Sequence, residues 1–406
     1  MTRRRFAQAA AAFPLVLPRR VFGANDRIRV GVIGAGNRSN LLIDQLPEEA
    51  EIVAIADCWL KRCNESAAKR KANWRIYQDH RQLLDQKDID GVIVGTHDHG
   101  RVLCCVHAVQ AGKDVYAEKP LTAYIEEGRI LVRAVRRYNR VLQAGSQQRS
   151  MAMNRVACEF VRNGGLGHLH FVQGCNYPPP NRYTGLPEQP TPEGLNWDAW
   201  LGPTPLRPYH EQLHLHWMSW WDYSGGEMTN WGAHGIDQIQ CALGMDTTGP
   251  VEFWPLADGP RNAAAFRYDN GVTVRLEMPM GELNGGAIFV GEKGRIEIVR
   301  NGFRTDPLKM IKELPPAEEV QKWERAQWQA KYHMQEWLDC MRSRKMPSAD
   351  VEIGHRSISV CHLVNITRQL GRRLQWDPAT ESFPFDAEAN LLLSRPRRRG
   401  YELPVV

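Results

Sequence analysis

The sequence predicts a doubly wound parallel α/β sheet followed by an α+β domain on an open, mainly antiparallel sheet. Three observations carry this. Short apolar runs alternate with amphipathic stretches from residue 27 to about 147, the rhythm of repeated β-α units. Two glycines form a turn directly after the first apolar run. Between 251 and 299, strand-like runs succeed one another with no helical stretch between them, as antiparallel sheets require.

The elements follow in order. Residues 28–33 read as a strand buried in a parallel sheet. A helix is expected over about 38–46, a strand over 51–57 and a helix near 60–71. Residues 92–95 form the next strand, and 102–111 a helix ended by Gly112. A strand over 114–117, a helix over 124–138 and a strand over 141–144 complete the parallel part. Prolines and tryptophans then concentrate between Tyr177 and Trp231. Strands are expected over 251–254, 263–268, 272–278, 286–290 and 295–299, with Glu292-Lys293-Gly294 as a turn. Helices return over about 323–342 and 353–370. At 406 residues the chain is long enough for two domains. The division this implies is a leader at 1–24, a nucleotide-binding part at 27–148 and a substrate and assembly part at 149–322. Helices packing back on the body follow at 323–372, then an arm at 373–406.

The net charge of +6 is concentrated at the ends. Arg3, Arg4, Arg5, Arg19 and Arg20 stand near the start and Arg395, Arg397, Arg398 and Arg399 near the end, with no acid among them. The rest is slightly acidic, which excludes a phosphate-tracking nucleic-acid surface. Thr2-Arg3-Arg4-Arg5-Phe6, followed by an alanine-rich apolar stretch over 7–17, resembles a twin-arginine export signal. Val21-Phe22-Gly23 is the candidate cleavage site. The expectation is export to the periplasm, or a cytoplasmic address if these residues are only a basic amphipathic start. No run of 18 apolar residues exists, so no membrane span is expected. Nine cysteines without a Cys-x-x-Cys pair argue against a disulfide framework or a zinc site. Free thiols suit twin-arginine cargo, which folds in the reducing cytoplasm before export.

Gly34-Ala35-Gly36-Asn37-Arg38-Ser39 follows the first strand and opens a helix. Gly34 permits the tight turn and Gly36 lets a pyrophosphate approach the backbone. The helix start, with Asn37 and Arg38, supplies free N–H groups. Ser39 stands where a third glycine is usual. Asp57, at the end of the second strand, suits a ribose 2′-hydroxyl and repels a 2′-phosphate, predicting NAD over NADP. The bland alternative is a structural turn and a surface aspartate.

Glu118-Lys119-Pro120 follows a parallel strand, at the end that faces the ligand crevice. A lysine there can bind a substrate hydroxyl and stabilise developing alkoxide; a cis Pro120 would fix its direction. In the run from Gly225 to Asp237, a helix places Asn230, His234 and Asp237 on one face. His234 suits proton removal from a hydroxyl; alternatively it is a packed core histidine.

The glycine turn, Glu118-Lys119-Pro120 and the Gly225-Gly226 run leading to His234 together resemble the glucose–fructose oxidoreductase/inositol 2-dehydrogenase/MocA (Gfo/Idh/MocA) family. The resemblance extends from about residue 27 to 370. It implies a Rossmann domain, then an open sheet used for substrate and often for homo-oligomerisation, with Lys119 and His234 as the catalytic pair. It also implies that Thr96 and His99, from Thr96-His97-Asp98-His99, flank the cofactor with Glu118. Gln147 and Arg149 then line the same cleft. One departure stands out: many members carry Asp where this chain has Asn230, which can orient an imidazole but not stabilise its charged form.

Trp197, Trp200, Trp217, Trp220, Trp221 and Trp231 lie within 35 residues. They suggest either a surface that stacks sugar rings or a core or subunit interface. Arg149, Trp221, Tyr223 and Asp237 are the candidate substrate contacts. His210, His214 and His216 lack a matching set of other ligands, so no metal is expected. Three functions remain. One is NAD-dependent oxidation of a sugar, polyol or glycoside hydroxyl. The second is a redox-neutral reaction with tightly held cofactor, such as an NAD-dependent glycosidase working by transient oxidation, elimination and re-reduction. The third is a non-catalytic sugar-binding protein.

Overall fold

The computed structural model describes residues 27–259, 261–324 and 329–406; the expected leader at 1–24 lies outside the described residues. Strands β1 (Ile28–Ile33), β2 (Ala50–Ala56), β3 (Arg75–Tyr77), β4 (Gly91–Val94), β5 (Asp114–Ala117) and β6 (Leu142–Ala144) form a parallel sheet. Their order is β3-β2-β1-β4-β5-β6. The winding reverses between β1 and β4, and ligands bind beyond the strand ends at such a reversal. β4 and β5 are wholly buried, which explains their unbroken apolar runs. β3 was not expected. It is three half-buried residues on the edge of β2, too short to show a period.

The second sheet comprises β7 (Leu169–Cys175), β8 (Glu252–Pro255), β9 (Ala264–Arg267), β10 (Thr273–Met278), β11 (Ala287–Gly291), β12 (Gly294–Val299), β13 (Gly302–Asp306) and β14 (Leu374–Gln375). Their order is β13-β12-β11-β7-β10-β9-β8-β14. All neighbours are antiparallel except β7 and β10. β7 was also not expected: it sits mid-sheet, yet its partners lie far along the chain.

The helix expected from 323 begins only at Lys331. Trp323 is instead tucked against Met151 and Tyr332 in a small buried patch, so the chain turns there. The helix Lys331–Ser343 lays Met334, Trp337 and Leu338 against Ile28, Val30 and Tyr116. The helix Val351–Leu370 is capped by the Asp350 carboxylate, which accepts the Glu352 N–H. It is buried along most of its length, against the helices Ile125–Arg137 and Gly232–Leu243 and against β8 and β9. Its polar side chains hold loops from both halves: His362 meets the Thr122 carbonyl, Asn365 donates to that of Gly225 and Arg368 to that of Tyr177. No helix among the described residues is long and apolar enough to cross a membrane.

Candidate active site

A cleft of about 1610 Å³ opens along the C-terminal ends of the first sheet, between it and the second half of the chain. That is larger than the ~300–1,000 Å³ typical of one small ligand, and leaves room for a dinucleotide and a substrate together.

The turn after β1 meets the demands of a pyrophosphate. Gly34 has φ +92°, and a Cβ there would come within 3.0 Å of the Gly95 and Thr96 backbone; only glycine adopts this comfortably. A Cβ on Gly36 would meet nothing within 4 Å, so it would project into open space. Gly36 caps the helix Asn37–Asp44, and Asn37 and Arg38 line the cleft. Ser39 is fully buried and takes the close packing of a third glycine, its hydroxyl facing the Gly95 carbonyl at 3.4 Å. Asp57 accepts the Ala35 N–H at 2.7 Å on one oxygen and the Trp59 N–H at 2.8 Å on the other. The turn and the acidic residue are thereby locked together, with the carboxylate lining the cleft. Asp57→Ala is expected to weaken NAD and relax exclusion of NADP, read as the ratio of kcat/KM with the two cofactors. An unchanged ratio removes Asp57 from the ribose site.

The chemistry-bearing residues meet further along. Lys119 Nζ donates to Asn230 Oδ1 at 2.6 Å and reaches the Asn230 carbonyl at 3.3 Å. The Lys119–Pro120 peptide is cis. Burial lowers the Lys119 pKa to about 8; Glu118 opposes this, and Arg38 adds to it. Glu118 accepts from Arg38 Nε at 2.7 Å and from the Lys119 N–H at 3.0 Å, with the Gln147 amide at 3.4 Å. Thr96 lines the same space, and its buried hydroxyl oxygen has no protein partner among the described residues.

His234 sits in the first turn of the helix Gly232–Leu243 and lines the cleft beside Trp231, their rings 5.8 Å apart. Gly285 backs it closely, where a Cβ would approach the His234 Cβ to 2.8 Å. Burial drives its pKa well below the usual value, and Arg300, Lys119 and Arg38 push the same way. The imidazole is therefore neutral at neutral pH, the form a proton acceptor needs. Asn230 closes the short helix Gly226–Asn230. Its side chain bonds Lys119 and Glu227, so it orients the lysine, where the sequence had suggested the imidazole.

Five expected cleft residues are placed elsewhere. Asp237 turns inward, where both oxygens accept from Arg149 Nε at 2.8–2.9 Å and one accepts the Ser357 hydroxyl. Arg149 also pairs with Asp246 at 2.9 Å. This buried ion network joins the helix Gly232–Leu243 to its neighbours, and neither Arg149 nor Asp237 lines the cleft. His99 is buried behind His97, its ring stacked at 3.7 Å and its Nε2 on the Trp200 carbonyl. Tyr223 is fully buried among aromatic residues, and its hydroxyl meets Arg207 at 3.3 Å. Trp221 lines a separate cavity of about 310 Å³ with Asp222 and His362.

Other residues took these places without a sequence signal. Arg300, just past β12, lines the cleft near Lys119 and His234 with its guanidinium 5.8 Å from the Trp231 ring centre. Asp98 and Arg101 form a buried pair under the site. Asp98 also accepts the Ser224 hydroxyl, and Arg101 holds the Pro120 and Thr96 carbonyls. Arg399, Gly400 and Tyr401 of the arm line the far end.

Two family models match the chain. The NAD-binding Rossmann fold of an oxidoreductase family covers residues 28–146, and the C-terminal alpha/beta domain of that family covers 181–403. An inositol 2-dehydrogenase/D-chiro-inositol 3-dehydrogenase of Lacticaseibacillus casei is 29% identical over 144 residues, 34% of this chain and 42% of that protein. The match thus spans less than half the length of that curated relative. Among solved structures, the WlbA dehydrogenase of Bordetella pertussis in complex with NADH and UDP-GlcNAcA aligns with a TM-score of 0.63 at 19% identity. It covers 87% of this chain and 99% of that one. The aldose-aldose oxidoreductase of Caulobacter crescentus complexed with glycerol aligns at 0.60 and 16%, over 86% and 99%. At these identities the likeness is one of fold.

Proposed function

Because the chain belongs to the Gfo/Idh/MocA oxidoreductase family and carries its NAD-binding Rossmann domain, we propose that it oxidises a secondary hydroxyl of a sugar, polyol or glycoside. Bound NAD supplies the hydride acceptor for the carbon that loses its C–H. The residues that would hold it are the Gly34–Gly36 turn, Arg38 and Asp57, with Thr96, Glu118 and Gln147 toward the reacting end. His234 takes the hydroxyl proton. Lys119, fixed by Asn230, holds the same oxygen as negative charge develops on it. The observation that carries this reading is the meeting of Lys119, Asn230 and His234 in one cleft with the glycine turn.

The substrate class draws on relatives that act on inositols and on a fold neighbour solved with a UDP-sugar acid. A redox-neutral reaction, in which the hydride is returned before the product leaves, is favoured by Leu195 and Asn196, which cover the end of β2 beyond Asp57. We place the protein in the periplasm on the twin-arginine-type start, and expect assembly through the open sheet.

The experiment is an absorption and fluorescence scan of the purified protein, with and without added NAD, against a panel of sugars, polyols and glycosides. Growth of reduced-nicotinamide signal with one of them supports the oxidation. NAD binding without spectral response to any of them leaves a sugar-binding protein instead.

A further inference from the structure

The tryptophan-rich segment lies against the nucleotide-binding half. Leu195 pairs with Trp59 in an antiparallel bridge. The Asn196 N–H donates to the Cys58 carbonyl at 2.9 Å, and the Trp59 indole to that of Glu193 at 3.0 Å. Gln78 donates to the carbonyls of both Cys58 and Gly194. All of these contacts surround the end of β2, immediately beyond Asp57.

That is the adenosine end of a dinucleotide site. With the pyrophosphate at the turn and the ribose at Asp57, the base lies past Asp57, by Cys58 and Arg62. There the cleft is walled by His97, His214 and Trp217. Both histidines stand in this wall as packed rings: His97 stacks on His99 at 3.7 Å, and His214 meets the Trp200 ring at 5.3 Å. Burial lowers both imidazoles, to about 3 and about 4. Each is thus neutral, and with Trp217 they give the wall the uncharged aromatic character that suits a purine ring.

The C-terminal arm fastens this wall from outside. Arg398 donates to the carbonyls of Gly202 and Asp198 and pairs with the Asp198 carboxylate, which also accepts the Tyr401 hydroxyl at 2.6 Å. Arg395 bonds the His99 and Asp222 carbonyls, and with Arg397 it pairs with the buried Glu127.

We propose that residues 193–217 form the adenine-binding wall of the dinucleotide site and that the arm at 395–401 pins this wall shut, making the dinucleotide a resident group. The proposal rests on the reading of the cleft as an NAD site, and not on the sugar chemistry. The wall belongs to the second half of the chain, so release of the base requires it to lift from β2 against the arm.

The test is dissociation of adenine-labelled NAD from the full-length protein, chased with excess unlabelled NAD. Wild type is expected to hold label through desalting and release it over hours. Trp217→Ala, which removes a ring from the wall, and Arg398→Ala are each expected to release it about tenfold faster or more. Tyr401→Phe, a milder change to the same strap, guards against loss of folding in Arg398→Ala and should also quicken release. Release from wild type within seconds, or wild-type rates in all three folded variants, overturns the proposal. Wild type that neither takes up label nor yields NAD when denatured overturns the NAD site itself, whereas slow release from a protein inert toward every sugar overturns only the proposed oxidation.

Discussion

Lys119→Ala and His234→Ala are each expected to lower turnover by about 10²–10⁴-fold at saturating NAD and substrate. In the proposed reaction the two act on one oxygen from different elements: Lys119 follows β5, and His234 stands on the helix Gly232–Leu243. Neither can cover for the other, since Lys119 carries charge and His234 is held neutral. The pH profile separates their roles. The Lys119 pKa is lowered to about 8, so its charge is present below that pH and lost as pH rises through it. Oxidation should therefore fall above about pH 8, and Lys119→Met should abolish this limb along with most of the rate. The His234 pKa lies well below the ordinary histidine value, so no acid limb is expected near pH 6.5. Near-normal turnover in either alanine variant, or a basic limb that survives in Lys119→Met, would falsify the assignment.

Arg149→Met is expected to destabilise the fold by about 3–5 kcal/mol, the scale for breaking a buried ion pair from one side. The guanidinium is buried yet stays charged: burial opposes its charge, and Asp237 more than restores it. Its removal strands Asp237, which is 2% exposed, next to Asp246. The loss is a large share of the ~5–15 kcal/mol that holds a typical domain together. Urea unfolding of the variant beside wild type reads it directly. A raised substrate KM with unchanged stability would return Arg149 to the cleft, where the sequence had suggested it.

Much of the cofactor site was legible because it is local. A parallel strand followed within a few residues by a turn must present that turn at the strand's C-terminal end. Gly34, Asp57, Thr96, Glu118 and Gln147 each follow a recognised apolar run, and all five line the cleft. Lys119 was found on the same grounds; His234 was named from the helical run Gly225–Asp237 and from the order of motifs along the chain. The three-residue β3 and the isolated β7 escaped notice because neither shows a long enough alternation.

Helical periodicity expected one helix in the run from Gly225 to Asp237, but the chain breaks it at Trp231 into Gly226–Asn230 and Gly232–Leu243, and periodicity misled about what these residues touch. Asn230, His234 and Asp237 were expected on one face. In the structure they serve the lysine, the cleft and a buried arginine in turn. The tryptophan cluster drew two readings, a sugar platform or a packed core. Trp200 is core and also edges the cleft, while Trp217 and Trp231 line the cleft at different places.

The sequence by itself determined the two sheets, the glycine turn with its acidic partner, and the place of Lys119 in the cleft. These follow from hydrophobic period and from position after a strand, which neighbouring residues set. Only the tertiary structure decided that Asn230 meets Lys119 across 111 residues, that Arg149 is spent on Asp237, and that the basic arm closes on Glu127 some 270 residues away. A desolvated charge or amide is satisfied by whatever opposite group the packing brings within about 3 Å. That choice is made by the folded chain in three dimensions, and no spacing along the sequence encodes it.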